Sequence, residues 1–114
     1  MKINAYQFGE MVIEGVKYHS DLIVFPDHIV DSWWRKRGHE ILPEDLEEVF
    51  KQKDIEVLVI GKGEPGYMDI SSTAREKLEK QGIEVIIQPT KLAWKTFNDL
   101  SKTRKVVGAF HLTC

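Results

Sequence analysis

A three-layer α/β domain, with helices packed on a central mixed sheet, is predicted by three features of this sequence. Short apolar runs, at Leu22–Phe25, Val57–Ile60 and Ile83–Ile87, have the length and β-branched content of strands covered on both faces. From residue 43 onward, helix-period stripes alternate with such runs, giving the order helix, strand, helix, strand, helix, strand. The first forty residues are instead β-patterned, which predicts a β-hairpin-rich N-terminal part on one edge or in a small second layer.

Each element has its own warrant. Ile3 to Phe8 alternates as a strand, and Met11 to Tyr18 breaks at Glu14-Gly15, a hairpin turn signal. Leu22 to Phe25 is a buried strand ended by Pro26, and residues 27 to 42 predict a short strand followed by an exposed loop. Pro43 suits the first position of a helix, Glu44 and Asp45 favour its positive end, and Leu46, Val49 and Phe50 recur at helical spacing, with an end near Lys53. Val57 to Ile60 is the second buried strand, and Tyr67 to Ile70 is extended. Thr73 and Glu76 form a capping box for a helix whose Ala74 and Leu78 face inward and which Gly82 closes. Ile83 to Ile87 follows as the third buried strand. Thr90 caps a last helix with an inner stripe of Ala93, Phe97 and Leu100, and Val106 to Leu112 is the closing strand. Residues 1–114 show no repeat, low-complexity tract or linker and predict one domain.

Composition narrows the function classes. The 114 residues suffice for one core but not for a cofactor domain beside a substrate domain. Charged residues at 30% and hydrophobic ones at 42% are ordinary for a globular chain. No apolar stretch nears the roughly 20 residues that a bilayer span requires, so no membrane partner is expected. A net charge of −2 gathers no polyanion, so no nucleic-acid partner is expected either. The N-terminus reaches strand-like alternation at once, leaving no room for a signal peptide, and the single cysteine, Cys114, fits a reducing cytosol. A cytoplasmic protein is the expectation.

The best functional lead is the string Gly61-Lys62-Gly63-Glu64-Pro65-Gly66, a G-x-G-x-x-G that directly follows a buried strand. Its flanks do not fit a dinucleotide site: Pro65 stiffens the loop, Tyr67–Ile70 delays the helix, and Gln88-Pro89 stands where the ribose-binding acid belongs. Two readings remain. Either loop amides and Lys62, with Ser71, Ser72, Thr90 and His111 as neighbours, hold a small anion or phosphate, or the glycines shape a tight strand exit. The segment Trp33-Trp34-Arg35-Lys36-Arg37 has the composition of an interface hot spot, with Trp33, Trp34, Arg35 and Arg37 as its candidates. Extended backbone would send one tryptophan into the core and the other outward, and an ordinary packed corner is the competing reading.

The remaining chemistry-bearing residues are dispersed. His19, His28, His39 and His111 lack metal-ligand spacing, and neither a metal nor a cofactor is expected. On a strand His111 and Cys114 would point apart, and no nucleophile elbow exists, so no catalytic constellation is identified. Glu44, Asp45, Glu47 and Glu48 read as a solvated helix face.

Trp33-Trp34-Arg35, His39, Val57–Gly63, Gly66, Gly82–Val85, Thr90, Ala93, Asn98 and His111-Leu112-Thr113-Cys114 together resemble the small Mth-type domain family of unknown function, in order and across nearly the whole chain. The family typically has Gly-Thr-Gly where this chain has Gly61-Lys62-Gly63, so the backbone loop is kept without the threonine hydroxyl. The resemblance implies a three-layer α/β fold and no established enzyme activity, cofactor or catalytic residue. Members tied to a process act through other proteins, so it favours an interaction or assembly module, acting by self-association or on a protein partner. The alternative is a small-anion or phosphate-ligand protein using the Gly61–Gly66 loop.

Overall fold

The turn expected at Glu14-Gly15 forms with φ of 50° and 79°, the positive values that match a two-residue hairpin to the twist of its strands. It joins the last two strands of a three-stranded antiparallel meander, β1 (Ile3–Gln7), β2 (Glu10–Ile13) and β3 (Val16–Tyr18). The computed structural model describes all residues, 1–114. After the meander come β4 (Leu22–Val24), β5 (Ile29–Val30), a stretch without regular structure over 31–39 that is exposed except at Trp33 and Arg35, and β6 (Glu40–Ile41).

The helix expected from Pro43 is shorter and less regular than its spacing indicated. A three-ten turn, Pro43–Leu46, leads into α1 (Glu47–Lys51). Asp45 is the cause: its carboxylate accepts the Leu42 amide at 2.7 Å and the Lys36 amide at 3.3 Å, which ties the first turn to the preceding loop. Asp45 is therefore not part of a solvated face, whereas Glu44, Glu47 and Glu48 are exposed.

Next along the chain are β7 (Val57–Lys62), β8 (Asp69–Ile70) and α2 (Ser72–Lys80). The cap of α2 is Ser71, not Thr73: the Ser71 hydroxyl accepts the Ala74 amide at 3.1 Å, and helix begins one residue before the expected cap. β9 (Glu84–Gln88), α3 (Thr90–Ser101) and β10 (Val106–His111) complete the chain. Pro89 holds the cap position of α3, so Thr90 is its first helical residue and its hydroxyl is turned into the protein.

The main sheet runs β5-β4-β10-β7-β9, with β10, β7 and β9 mutually parallel, β4 antiparallel to β10 and β5 antiparallel to β4. β6 and β8 form a separate short parallel pair. Successive side chains of a strand face opposite ways, and β7 shows why its run is continuously apolar. Leu58 and Ile60 enter a core with Leu46, Val49, Ala74 and Leu78, beneath α1 and α2. Val57 and Val59 enter a second core with Ala93 and Phe97 of α3 and with Ile3, Met11 and Ile13 of the meander. The sheet is thus the middle of three layers. No helix is long and apolar enough to cross a membrane.

Candidate functional site

The chain leaves β7 toward α2 on one face of the sheet and leaves β9 toward α3 on the other. In open α/β sheets ligands bind at the carboxyl ends of strands where successive connections diverge in this way. Here that place is stapled shut. The Thr90 hydroxyl donates to the His111 carbonyl at 2.6 Å and accepts the Gly63 amide at 2.8 Å, while the Thr90 amide donates to the Gly63 carbonyl at 3.2 Å. Three elements are fastened by one side chain.

The glycine loop follows from this closeness. A Cβ on Gly61 would come within 2.8 Å of Phe110 Cδ1 and 2.9 Å of Thr90 Oγ1. Gly63 has φ of +92°, and a Cβ there would collide with the Thr113 carbonyl and lie 2.7 Å from His111 Cδ2. The Glu64 amide also donates inward, to the Thr113 carbonyl at 2.9 Å, so two amides of the loop already have partners. The Lys62 stem lies along Gly66, and its ammonium has no ion-pair partner. Gly61, Lys62, Gly63, Gly66, Thr90 and His111 are thus brought together at the strand ends. Ser71 is engaged in capping α2, Ser72 is exposed, and no hydrogen bond joins either to the loop.

A charged node lies beside the staple. β4 runs antiparallel to β10 with Leu22 opposite Phe110, so Asp21 comes beside His111. Asp21 Oδ2 accepts from His111 Nδ1 at 2.7 Å and from Arg35 Nη2 at 2.8 Å, and Oδ1 accepts the Leu112 amide at 2.7 Å. Burial raises the Asp21 carboxyl, but the bonds from His111, Leu112 and Arg35 outweigh it and hold the pKa below its usual 3.8. A carboxylate can only accept, so His111 carries a proton on Nδ1. Arg35 Nη2 also donates to the Gly38 carbonyl at 3.1 Å, and the Trp33 ring lies 4.6 Å from the guanidinium carbon. Nearby, Tyr6 donates its hydroxyl to the Leu112 carbonyl, and burial, with Glu64 and Asp21 as negative neighbours, pushes its pKa up to about 12.

Of the interface candidates, Trp33 and Arg35 are buried. Trp33 turns inward and donates its indole N–H to the Asp45 carbonyl at 2.9 Å, and only 5% of the Arg35 side chain is exposed. The ion pair with Asp21 draws Arg35 in. Trp34 is 77% exposed and Arg37 reaches solvent, paired to Glu40 at 2.9 Å, so one tryptophan faces each way as extended backbone requires. Cys114 is exposed, past the end of β10, and no group of three His, Cys, Asp or Glu is placed to hold a metal ion.

Asp21, Tyr6 and Tyr67 were not singled out in the sequence. An acid immediately before the buried run Leu22–Phe25 was the available signal for Asp21, but its partner is 90 residues away. Tyr67 is 64% exposed and stands edge-on to His39 with ring centres 6.0 Å apart, and His39 stands likewise to His111 at 5.9 Å.

A family model described as "Protein of unknown function (DUF498/DUF598)" matches residues 3–111. Human NADH dehydrogenase [ubiquinone] 1 alpha subcomplex assembly factor 3 is 28% identical over 111 residues, covering 96% of this chain. The chain spans 59% of the length of that relative. A crystal structure of a conserved hypothetical protein from Pyrococcus horikoshii OT3 superposes with a TM-score of 0.85 at 28% identity, covering 100% of both chains. The solution structure of a Bordetella pertussis protein described as a Mth938-like domain gives 0.75 at 20% identity, over 97% of this chain and 85% of the other, a likeness of fold alone.

Proposed function

The chain belongs to the family of proteins of unknown function DUF498/DUF598, and on that premise we propose that it is a non-enzymatic interaction or assembly module of the cytoplasm. It engages a second protein, or a second copy of itself, through the end of the sheet where Trp34 and Tyr67 stand. The observation that carries this reading is Trp34. A tryptophan 77% exposed costs solvation unless something covers it, and this one is held in place by its neighbours, Trp33 in the core and Arg35 in a buried ion pair. An exposed aromatic on a fixed backbone has only two side-chain torsions to order on docking, which is one way a few residues dominate the affinity of an interface. The similarity to a human protein named as an assembly factor supports the same class of action, though the chain spans only part of it. With two loop amides already bonded inside the protein, the glycine string is better explained as a strand exit than as an anion cradle.

Sedimentation velocity across a concentration series, with cross-linking in an extract of the source cell, tests the proposal. Trp34→Ala with Tyr67→Ala should weaken self-association or the specific cross-link by about thirtyfold or more, as for a hot-spot pair, while the melting temperature stays within a few degrees. Association unchanged in the double variant, or a wild type that remains monomeric and cross-links to nothing, overturns it.

A further inference from the structure

Every open strand edge of this molecule is blunted except one. β5, β6 and β8 are two residues long, β3 is short and carries Lys17, and β1 has a register break between Ile3 and Ala5. Such devices keep open edges from pairing with other chains. β9 ends the main sheet with a regular five-residue run, Glu84–Gln88, that contains no lysine, proline or bulge. Its central side chains, Val85, Ile86 and Ile87, are only partly buried, whereas Leu58, Val59 and Ile60 beside them on β7 are 0% exposed. The Glu84 amide donates to the Glu56 carbonyl at 3.0 Å, toward β7. Main-chain groups alternate sides along a strand, so those of Ile86 and Gln88 also turn to β7, and those of Val85 and Ile87 turn outward.

We propose that β9 pairs antiparallel with β9 of a second copy, joining the two main sheets into one across a two-fold axis at Ile86. The strand is self-complementary in a single register. With Ile86 opposite itself, Val85 faces Ile87 of the second copy, and each exchanges both its N–H and its C=O with the other. A shift of two residues either way breaks this match. One direction sets Val85 against Pro89, which has no N–H. The other sets Ile87 against Ile83, whose amide is already given to the Leu78 carbonyl at 3.0 Å. A shift of one residue would face outward groups with groups already bonded to β7.

The side chains agree with this register. Glu84, Ile86 and Gln88 share the α3 face, and α3 packs mainly on β7, which leaves Ile86 partly uncovered until it meets Ile86 of the second copy. Glu84 falls opposite Gln88 and not opposite another acid. Gln88 Oε1 accepts the Thr96 hydroxyl at 2.7 Å, so the amide nitrogen of Gln88 is free to donate to that carboxylate. Arg104, 3.3 Å from Glu84, adds a positive group. On the α1 and α2 face, Val85 meets Ile87. Leu92, one turn before Thr96 on the side of α3 that faces Gln88, adds an apolar side chain that is 50% exposed. Trp34 lies across the sheet, since the neighbouring Trp33 amide donates to the Asp21 carbonyl beside β4. The pairing therefore uses a different surface from the Trp34 end and leaves that end open.

Sedimentation velocity from about 1 μM to about 1 mM should show a reversible monomer–dimer equilibrium for the wild type. Val85→Pro removes an outward N–H on an edge strand, where proline is tolerated, and should weaken the dimer at least about tenfold with far-UV circular dichroism unchanged. Trp34→Ala should leave the dimer unaltered. Cysteine cross-linking reads the register without relying on the proline variant. In a Cys114→Ser background, Ile86→Cys places two thiols across the axis with Cα atoms about 4.5 Å apart, within disulfide reach. For Val85→Cys or Ile87→Cys the corresponding separation is roughly 9 Å, which is out of reach. With diamide as oxidant, Ile86→Cys should form the covalent dimer at least about tenfold faster than either. A wild type monomeric throughout, including one whose β9 takes up an extended segment of a different protein, overturns the proposal. So do equal cross-linking rates at the three positions, or a dimer lost with Trp34→Ala and kept with Val85→Pro.

Discussion

Asp21 is the residue on which the node depends, because it neutralises Arg35, orients His111 and receives the Leu112 amide with two oxygens. Replacing it by asparagine keeps the shape and removes the charge, leaving a guanidinium that is almost wholly buried without its counter-ion. Breaking a buried pair in this way costs about 3 kcal/mol, so Asp21→Asn should lower the urea midpoint at neutral pH by a large fraction of the protein's stability. The pH dependence has a definite sign. Since the folded-state pKa of Asp21 is below 3.8, its contribution is fully present above that value and is lost as pH falls through the depressed one. The stability gap between wild type and Asp21→Asn should therefore be widest near neutrality and narrow below about pH 3.8, as urea titrations at several pH values would reveal. Trp34→Ala, which touches no such feature, should change stability by less than about 0.5 kcal/mol.

At the scale of elements, one threonine does what sequence spacing assigned to a cap. A Thr before an amphipathic stripe reads as an N-cap, but Pro89 takes that position and Thr90 ties α3 to β7 and β10. The distinction can be measured. Thr90→Val preserves volume but leaves the Gly63 amide and the His111 carbonyl unpartnered inside the protein, and should cost about 2–4 kcal/mol by chemical denaturation, whereas Thr90→Ser should retain most of the stability. Ser71→Ala, at the true cap of α2, should cost only about 1 kcal/mol. If Thr90→Val cost no more than Ser71→Ala, the staple would be energetically ordinary. The elements legible in the sequence were those whose pattern is local: the continuous apolar run of β7, the i, i+3, i+4 stripe of α3 and the Glu14-Gly15 turn all follow from neighbouring residues. What was illegible is non-local. β6 and β8 are two residues each and exist because Glu40 and Ile41 meet Asp69 and Ile70 across the fold. Likewise the irregular turn at Pro43 is set by Asp45 reaching back to Lys36 and Leu42. The candidate site was half legible for the same reason: the glycines are contiguous and visible, whereas Asp21, Arg35 and His111 meet only once β4 lies against β10.

For the whole molecule, the question is whether two cores on opposite faces of one sheet melt together. Alternate residues of β7 and β10 supply both: Leu58 and Val107 face α1 and α2, while Val59 and Phe110 face α3 and the meander. Loss of packing on either face therefore loosens the same two central strands, and the Thr90 staple couples α3 directly to their ends. This predicts a single cooperative transition. Leu78→Ala on one face and Phe97→Ala on the other should each cost about 3–5 kcal/mol, the range for deleting a large buried side chain. Each should shift tryptophan fluorescence and far-UV circular dichroism by the same amount, although Trp33 packs on the α1 side and Trp94 on the α3 side. Because the two sites share no contact yet stabilise one unit, the double variant should lose about the sum of the two costs. Non-coincident transitions in either single variant, with one probe reporting unfolding while the other remained native, would show that the sheet insulates its two faces and that the layers fold as separate units.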